Sequence, residues 1–363
     1  AGDPVLQRYE DARIVVTIPR GPMLASGWPT AVFIRTGAGG DRPLVDRGVH
    51  AEAGGEAEPG SGAARYLAWG GLAGVSVDGP HGGIRNVTGG DEQFLIFNIT
   101  NPAAMRDNLR QSAAELTLVP DVLGELDLDV SSCEGAGGGS FDTSLVALLG
   151  HSMGATIAPM VLAADDRYTA TVLSGAGGSW IHNIVYKLSP LEVRPMAEVV
   201  LGYDEGELDT PDPALALLQW AGESADPPPF GAMRARDTLD ALVVQGIVDT
   251  YILPPMANAT SLSHGLDLAG EALDADHPDL AQFRPLGDVL GLVGGEVIAL
   301  PTAANADGRT AVVVQHAEDG IEDGHEVWFQ TEAPRHQTRC FLQSWVAGAA
   351  VVPVGGADDD PCD

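Results

Sequence analysis

The chain is poor in positive charge. Its 19 basic residues, of which only Lys187 is a lysine, face 51 acidic residues, for a formal net charge of −32. A surface of this kind repels phosphate backbones and anionic lipid headgroups. We therefore expect no nucleic-acid partner.

Long apolar runs and a cationic apolar leader are also absent. No run approaches the roughly 18 consecutive apolar residues needed to cross a bilayer, so the chain is predicted not to span a membrane. A signal peptide, if there was one, has been removed. The hydrophobic fraction of 45% is nevertheless sufficient for a large core.

Cysteine is scarce, and its spacing does not match a metal site. Of Cys133, Cys340 and Cys362, the last lies in an acidic tail that has little reason to be ordered unless it is pinned. A Cys340–Cys362 disulfide would pin the tail to the last helix and imply an oxidising compartment. Three unpaired thiols in a cytosolic protein are the alternative. We expect neither a metal nor a cofactor.

Short apolar, β-branched segments alternate with helical stretches, which predicts an α/β fold with a mostly parallel central sheet flanked by helices. Strands are predicted at residues 13–19, 30–36, 71–77, 144–149, 168–173, 239–246 and 310–315. Helices are predicted at residues 102–118, 153–164 and 333–347.

The regular alternation stops at residues 174–237, a proline-rich interval that we interpret as a cap inserted over the carboxyl edge of the sheet. The core is then residues 1–173 and 238–350, followed by an acidic tail at 351–363. The aromatic side chains of the predicted cap, Trp180, Trp220 and Phe230, predict an apolar substrate pocket. The alternative is that they only pack the interior of the cap itself.

Ser152 is the strongest candidate for a nucleophile. It lies in Gly150-His151-Ser152-Met153-Gly154, a pattern that means little by itself in a chain with 46 glycines. Here an apolar strand leads into the pattern and a helix leaves it. Glycines on both sides allow a strained turn that exposes the serine hydroxyl beyond the sheet.

A serine nucleophile needs a base, and the base needs an orienting acid. Asp249 follows the strand at residues 239–246 and precedes Pro254-Pro255, which opens the next helix. It is the candidate acid, with a simple loop-capping role as the alternative.

Three histidines follow the last strand. His325 lies in a loop that could bend back over the serine and is favoured as the base. His316, at the strand tip, is the alternative. His336 falls on the closing helix, and His151 must point into the sheet or a neighbouring wall, from which it cannot reach Ser152.

Taken together, the serine turn, the acid turn and the histidine loop resemble the α/β-hydrolase superfamily from about residue 30 to 347. Within it, residues 106–111 and 324–330 are similar to secreted bacterial lipase-like hydrolases. The resemblance implies carboxylic-ester substrates, small or lipid, no obligate protein partner, and secretion or a periplasmic location. Serine peptidases and amidases share the triad, and a catalytically silent binding protein could keep the fold.

The resemblance also implies an oxyanion hole. Its donors would be the amide of Met153 and that of Ala38, with Gly37 as the alternative, in a loop similar to the His-Gly-x loop of many esterases. Thr36 stands where that loop usually has histidine. Gly37, Trp180 and Tyr251 are the candidates for contact with the substrate.

Overall fold

The computed structural model describes residues 5–37, 42–234 and 239–362. Over these residues, nine strands form one sheet in the order β1-β3-β2-β4-β5-β6-β10-β7-β8. Every pair is parallel except β1–β3 at one edge. The strands are β1 Ile14–Thr17, β2 Trp28–Phe33, β3 Ala73–Val77, β4 Phe141–His151, β5 Tyr168–Ser174, β6 Asp240–Ile247, β7 Asp267–Ala269, β8 Val297–Ile298 and β10 Ala311–Ala317.

The central strands are buried on both faces, which is why they are short apolar runs rather than alternating ones. Their side chains separate into two hydrophobic cores with the period of two that a strand imposes. In β4, Val146 and Leu148 point to one core, whereas Ala147 and Leu149 point to the other.

Helices cover both faces of the sheet. They are α1 Pro43–Asp46, α2 Ala63–Trp69, α3 Glu92–Ile96, α4 Pro102–Leu116, α5 Val119–Glu125, α6 Met153–Ala164, α7 Trp180–Tyr186, α8 Arg194–Leu201, α9 Pro213–Gly222, α10 Pro227–Arg234, α11 Pro254–Ser263, α12 Val327–Gln330 and α13 Glu332–Val346. Helices α4 and α6 contribute to one core, and α2 and α13 to the other. This is the predicted α/β architecture.

The predicted cap interval holds α7, α8, α9 and α10. Val185, Leu208 and Leu215 form a small separate core within it. Helix α10 packs against α6 instead, so the last part of the interval lies on the main core.

Strands β7 and β8 lie in residues 263–308, where no strand is predicted. They have three and two residues, too few to show the alternation by which a strand is recognised. Three short three-ten helices lie in the same stretch, at Pro278–Leu280, Leu286–Asp288 and Leu290–Leu292.

The acidic tail is fixed to the core. Strand β11 (Val351–Val352) pairs with β9 (Thr302–Ala303), and the Cys340–Cys362 disulfide ties the tail to α13. Arg335 adds a paired hydrogen bond to Asp358. Cys133 is an exposed free thiol. In the described ranges, no helix is both long and apolar enough to cross a bilayer.

Candidate active site

Ser152 occupies a strained turn between β4 and α6. Its backbone angles are φ 54° and ψ −115°, a conformation that non-glycine residues rarely adopt. A side chain at Gly150 would come within 2.7 Å of the Gly154 backbone, so the turn requires glycine there. The Ser152 side chain is half-buried, whereas its neighbours on both sides are buried. The turn therefore presents the serine hydroxyl at the carboxyl edge of the sheet.

The residue after the serine begins α6. Met153 is the first helical residue, and its amide is among those at a helix N-terminus that have no partner within the helix. The Ser152 N–H itself donates to the Ser174 carbonyl at 2.9 Å. The amide of Met153, next to Ser152, can therefore stabilise negative charge on a substrate oxygen.

Asp249 and His325 form a buried pair. His325 Nδ1 lies 2.8 Å from Asp249 Oδ2, and the two residues are 3% and 6% exposed. The other oxygen of Asp249 accepts from the backbone N–H groups of Tyr251 (2.8 Å) and Ile252 (2.7 Å). A carboxylate held in this way can fix one tautomer of the imidazole and stabilise its protonated form.

Two observations place the His325 imidazole beside the turn that carries Ser152. A Cβ added to Gly175 would lie 2.5 Å from His325 Cε1, and Gly175 directly follows the residue whose carbonyl binds the Ser152 N–H. The ring of His151, the residue before the serine, lies 4.7 Å from the His325 ring between centroids. The structure thus brings Ser152, Asp249 and His325 to one place.

The other three candidate histidines are not paired with Asp249. His316 is buried in β10, and burial lowers its pKa to about 4. His336 contacts the tail, where its Nε2 lies 3.1 Å from the Pro361 carbonyl. His151 is fully buried with its ring edge-on to Phe329, and burial lowers its pKa to about 4.

Asp323 joins the acid turn to the histidine loop. Its carboxylate accepts from the backbone N–H of His325 at 2.8 Å and of Thr250 at 3.1 Å, and from the Thr250 hydroxyl at 2.7 Å. Burial, followed by the charge of Asp249, raises the pKa of Asp323. Sequence reasoning missed this residue, although its position two residues before the candidate base was a signal.

The predicted cap interval is attached to the turn that carries Asp249. The Leu188 and Ser189 N–H groups both donate to the Thr250 carbonyl, and Lys187 Nζ donates to the Tyr251 carbonyl at 3.0 Å. The Tyr251 ring stacks on the His325 ring, with centroids 4.4 Å apart. Burial lowers the pKa of Lys187 to about 8. Tyr251, a predicted substrate contact, therefore lies at the junction of cap and base.

The remaining predicted substrate and oxyanion residues are less central. Trp180 packs against the core, and its indole N–H donates to the Gly222 carbonyl. Phe230 also packs against the core, whereas Trp220 is 77% exposed. Gly37 is buried against the Gln93 side chain. Ala38 lies outside the described residues. The roles of these residues in binding remain predictions.

A second hydrogen-bond network missed by sequence reasoning joins the loop after β2 to the residue that follows His325. Arg47 donates to both oxygens of Glu326, the residue after the candidate base, and also to Gly37 and Thr36. Burial opposes ionisation of Glu326, but the charge of Arg47 holds its pKa well below the ordinary value. Since these residues are 279 positions apart, no local pattern signals the pair.

One cluster has the donor types of a metal site. Ligand atoms of His336, Cys340 and Cys362 lie within 4.8 Å of one another. The two cysteines form the disulfide, so neither offers a thiolate. The cluster also lies at the tail rather than beside Ser152.

The class of protein follows from fold and site together. A mostly parallel sheet flanked by helices carries a serine on a strained strand-to-helix turn, and the acid and the histidine follow it in the chain. The chain has the α/β-hydrolase fold.

Comparisons with known proteins give distant structural likenesses. No protein-family model matches, and no curated protein matches. The 2,6-dihydroxy-pseudo-oxynicotine hydrolase structure aligns over 95% of this chain and 67% of its own, with 16% identity and a TM-score of 0.49. For an acetyl xylan esterase from Paenibacillus sp. R4 the values are 70%, 69%, 16% and 0.44. For the Pyrococcus horikoshii acylaminoacyl peptidase they are 92%, 39%, 11% and 0.45.

Proposed function

We propose that this protein hydrolyses carboxylic esters through an acyl-enzyme formed on Ser152. The observation that carries the proposal is the arrangement of three groups at one edge of the sheet: a serine on a strained turn, an imidazole beside it, and a buried carboxylate 2.8 Å from that imidazole. No metal or cofactor is needed for this chemistry.

The mechanism follows from the roles of the groups. His325 Nε2 takes the proton of the Ser152 hydroxyl as the oxygen attacks the acyl carbon, and Asp249 stabilises the resulting imidazolium. The amide of Met153, with a second donor from the loop that follows β2, stabilises the oxyanion. His325 then protonates the leaving alcohol. Water attacks the acyl carbon of the acyl-enzyme as it gives a proton to the same imidazole, and His325 returns that proton to the Ser152 oxygen as the carboxylic acid leaves.

An ester panel tests the proposal. Hydrolysis of p-nitrophenyl esters from acetate to palmitate is measured for the wild type and for Ser152→Ala, His325→Ala and His316→Ala. We expect activity in the wild type and in His316→Ala, with losses on the order of 10⁴-fold or more in the other two variants. Retained activity in Ser152→Ala would contradict the proposal.

The same panel separates the competing activities. Hydrolysis of p-nitroanilides in preference to esters of the same acyl group would favour an amidase or peptidase, since the triad does not distinguish the two bonds. Inertness toward both classes would favour a binding protein that keeps the fold. A preference for long acyl chains would favour a lipase.

We also propose that the protein acts outside the cytoplasm, in the periplasm or the medium. The Cys340–Cys362 disulfide supports this, because such bonds persist in oxidising compartments. Intact-mass measurement of alkylated protein taken from its native compartment tests it. Two blocked cysteines and one alkylated Cys133 are expected, and three alkylated thiols would contradict it.

A further inference from the structure

We propose that Arg47 and Glu326 are positioning residues, which hold the start of the oxyanion loop against the turn that carries His325. The inference rests on the proposed function, because it concerns the efficiency of the same reaction. It identifies a further requirement of the site beyond the triad and the oxyanion donors.

One guanidinium binds both loops. Arg47 Nη1 donates to Glu326 Oε1 at 3.0 Å and to Oε2 at 3.1 Å. Its Nε and Nη2 donate to the Thr36 hydroxyl at 3.2 and 3.1 Å, and Nη2 also donates to the Gly37 carbonyl at 3.0 Å. Nη1 therefore binds only Glu326 among these partners, whereas Nε and Nη2 bind Thr36 and Gly37.

Both partners of the guanidinium lie outside the sheet ladder. Strand β2 ends at Phe33, before Thr36 and Gly37, and β10 ends at Ala317, well before Glu326. The hydrogen bonds within the sheet therefore do not fix these positions relative to each other. Arg47, placed at the end of α1, supplies a direct connection between them.

The pair also faces the rings around the nucleophile. Glu326 Oε1 lies 3.7 Å from Nε2 of the buried His151, whose ring contacts the His325 ring. The Arg47 guanidinium lies 5.8 Å from the centroid of Phe329, on which His151 packs. A shift of Glu326 would thus displace His325 in two ways. Glu326 directly follows His325 in the chain, and it also lies beside His151, whose ring contacts the His325 ring.

The chemistry of the pair suits a rigid link. The side chains of Arg47 and Glu326 are only 17% and 19% exposed, so solvent screens their attraction less than at an open surface. The planar fork of arginine binds several acceptors in fixed directions, which a lysine ammonium cannot reproduce. The arrangement therefore depends on arginine itself and not only on its charge.

A double-mutant cycle tests the link, with Arg47→Met, Glu326→Gln and the combined variant. Each single change is expected to lower kcat on the order of 100-fold on a p-nitrophenyl ester with little change in KM, as a displacement of about 1 Å in a catalytic group can do. The combined variant should be no slower than the slower single variant, because both changes break one link. Losses that multiply would overturn the proposal.

The matched control is Arg167→Met. Arg167 likewise binds a buried carboxylate, that of Asp165, and also the Thr117 carbonyl, but it lies just before β5, at the opposite end of that strand from Gly175. Its loss should lower the melting temperature and leave kcat unchanged. If Arg47→Met lowers only the melting temperature, as the control does, the role is structural and the proposal fails.

Two milder variants keep the test decisive if Arg47→Met does not fold. Arg47→Lys can still face Glu326 but cannot hold Thr36 and Gly37 as well, so it should recover only part of kcat. Thr36→Val removes the acceptor of two bonds and leaves the ion pair, and it should also lower kcat. Full activity in both would overturn the proposal.

Labelling of Ser152 by a fluorophosphonate, followed by mass spectrometry, separates the two proposals. A wild-type protein that is neither labelled nor active on esters would sink the proposed function itself. A wild type that is labelled rapidly while Arg47→Met is labelled equally fast would sink only the positioning role. Slower labelling in Arg47→Met than in Arg167→Met supports it.

Discussion

The two oxygens of Asp249 have separate tasks at the residue scale. Oδ1 accepts from two backbone N–H groups and Oδ2 faces the imidazole. The backbone bonds fix the carboxylate rotamer without involving His325. As a result, the chemistry at Oδ2 can be changed by substitution while the acid turn keeps its shape.

Asp249→Asn uses this division. The amide oxygen should stay at the two backbone donors, so its NH₂ group would face His325 Nδ1. That contact favours the tautomer with a proton on Nε2, which cannot accept one from Ser152. We expect kcat to fall on the order of 10⁴-fold with little change in melting temperature. Steady-state kinetics and thermal melting check this, and a loss below about tenfold would contradict it.

Gly175 is a second residue at which one substitution should disturb the site, because it leaves the space that the His325 imidazole occupies. Gly175→Ala would place its Cβ 2.5 Å from His325 Cε1, at a backbone φ of 52° that an L side chain rarely adopts. We expect kcat to fall on the order of 100-fold as the imidazole is displaced. Gly202→Ala is the matched control, because Gly202 has φ 80° with open space around it. It should lose stability and keep kcat, and equal kinetics for the two variants would refute the steric reason.

At the scale of elements, hydrogen bonds join the predicted cap to the turn that carries Asp249, the candidate acid. Residues 187–189 follow α7 and are joined to the turn after β6 by backbone bonds, by Lys187 and by a bond between the Thr250 and Ser189 hydroxyls. Movement of α7 would therefore be transmitted to Tyr251 and to the ring that it stacks on. This connection makes the attachment of α7 to the core relevant to catalysis.

That attachment depends on Asp226, a buried carboxylate that binds the Ser179 N–H at 2.8 Å and the Gln219 amide at 2.6 Å. Burial raises its pKa from 3.8 to about 6. The folded protein therefore binds the proton more tightly than the unfolded chain, and stability falls as pH rises between these two values.

Asp226→Asn should remove this loss. Its oxygen can still accept from Ser179. Its NH₂ group can donate to Gln219 if that amide turns over, which breaks the 3.2 Å bond that the Ile181 N–H donates to Gln219 Oε1. We expect the variant to melt higher than the wild type at pH 7 and equally at about pH 4, below both pKa values. Melting curves across this range are the measurement. A variant that is less stable at pH 7 would show that the ionised carboxylate is needed.

The elements around the site were predictable because their signals are local. Helix α6 begins and ends where the sequence predicts it, because a glycine-flanked turn precedes it and an apolar run fills it. Helix α4 begins at Pro102, also as predicted, where the Asn101 side chain accepts from the Ala104 N–H. By contrast, Arg47–Glu326 and Asp323–Thr250 join residues that are far apart in the chain. Only the fold brings such pairs together.

The whole molecule shows the same contrast between local and distant information. The mostly parallel sheet followed from the alternation of apolar strands and helices. The tail was predicted as an acidic segment that a Cys340–Cys362 disulfide would tie to the last helix, and the structure has that bond. The pairing of β11 with β9 and the hydrogen bonds of Arg335 to the tail were not predicted. Strand β9 has two residues and no periodicity to reveal it.

Net charge sets the last prediction. With 51 acidic and 19 basic residues, most carboxylates have no cation to pair with, so repulsion among them opposes folding. Raising NaCl from about 0.01 M to about 1 M shortens the screening length from about 30 Å to about 3 Å. The melting temperature at pH 7 should therefore rise with salt, although ion pairs such as Arg335–Asp358 weaken. Near pH 4.3, the isoelectric point, the same titration should show little effect. A fall at pH 7 would mean that the pairs outweigh the repulsion.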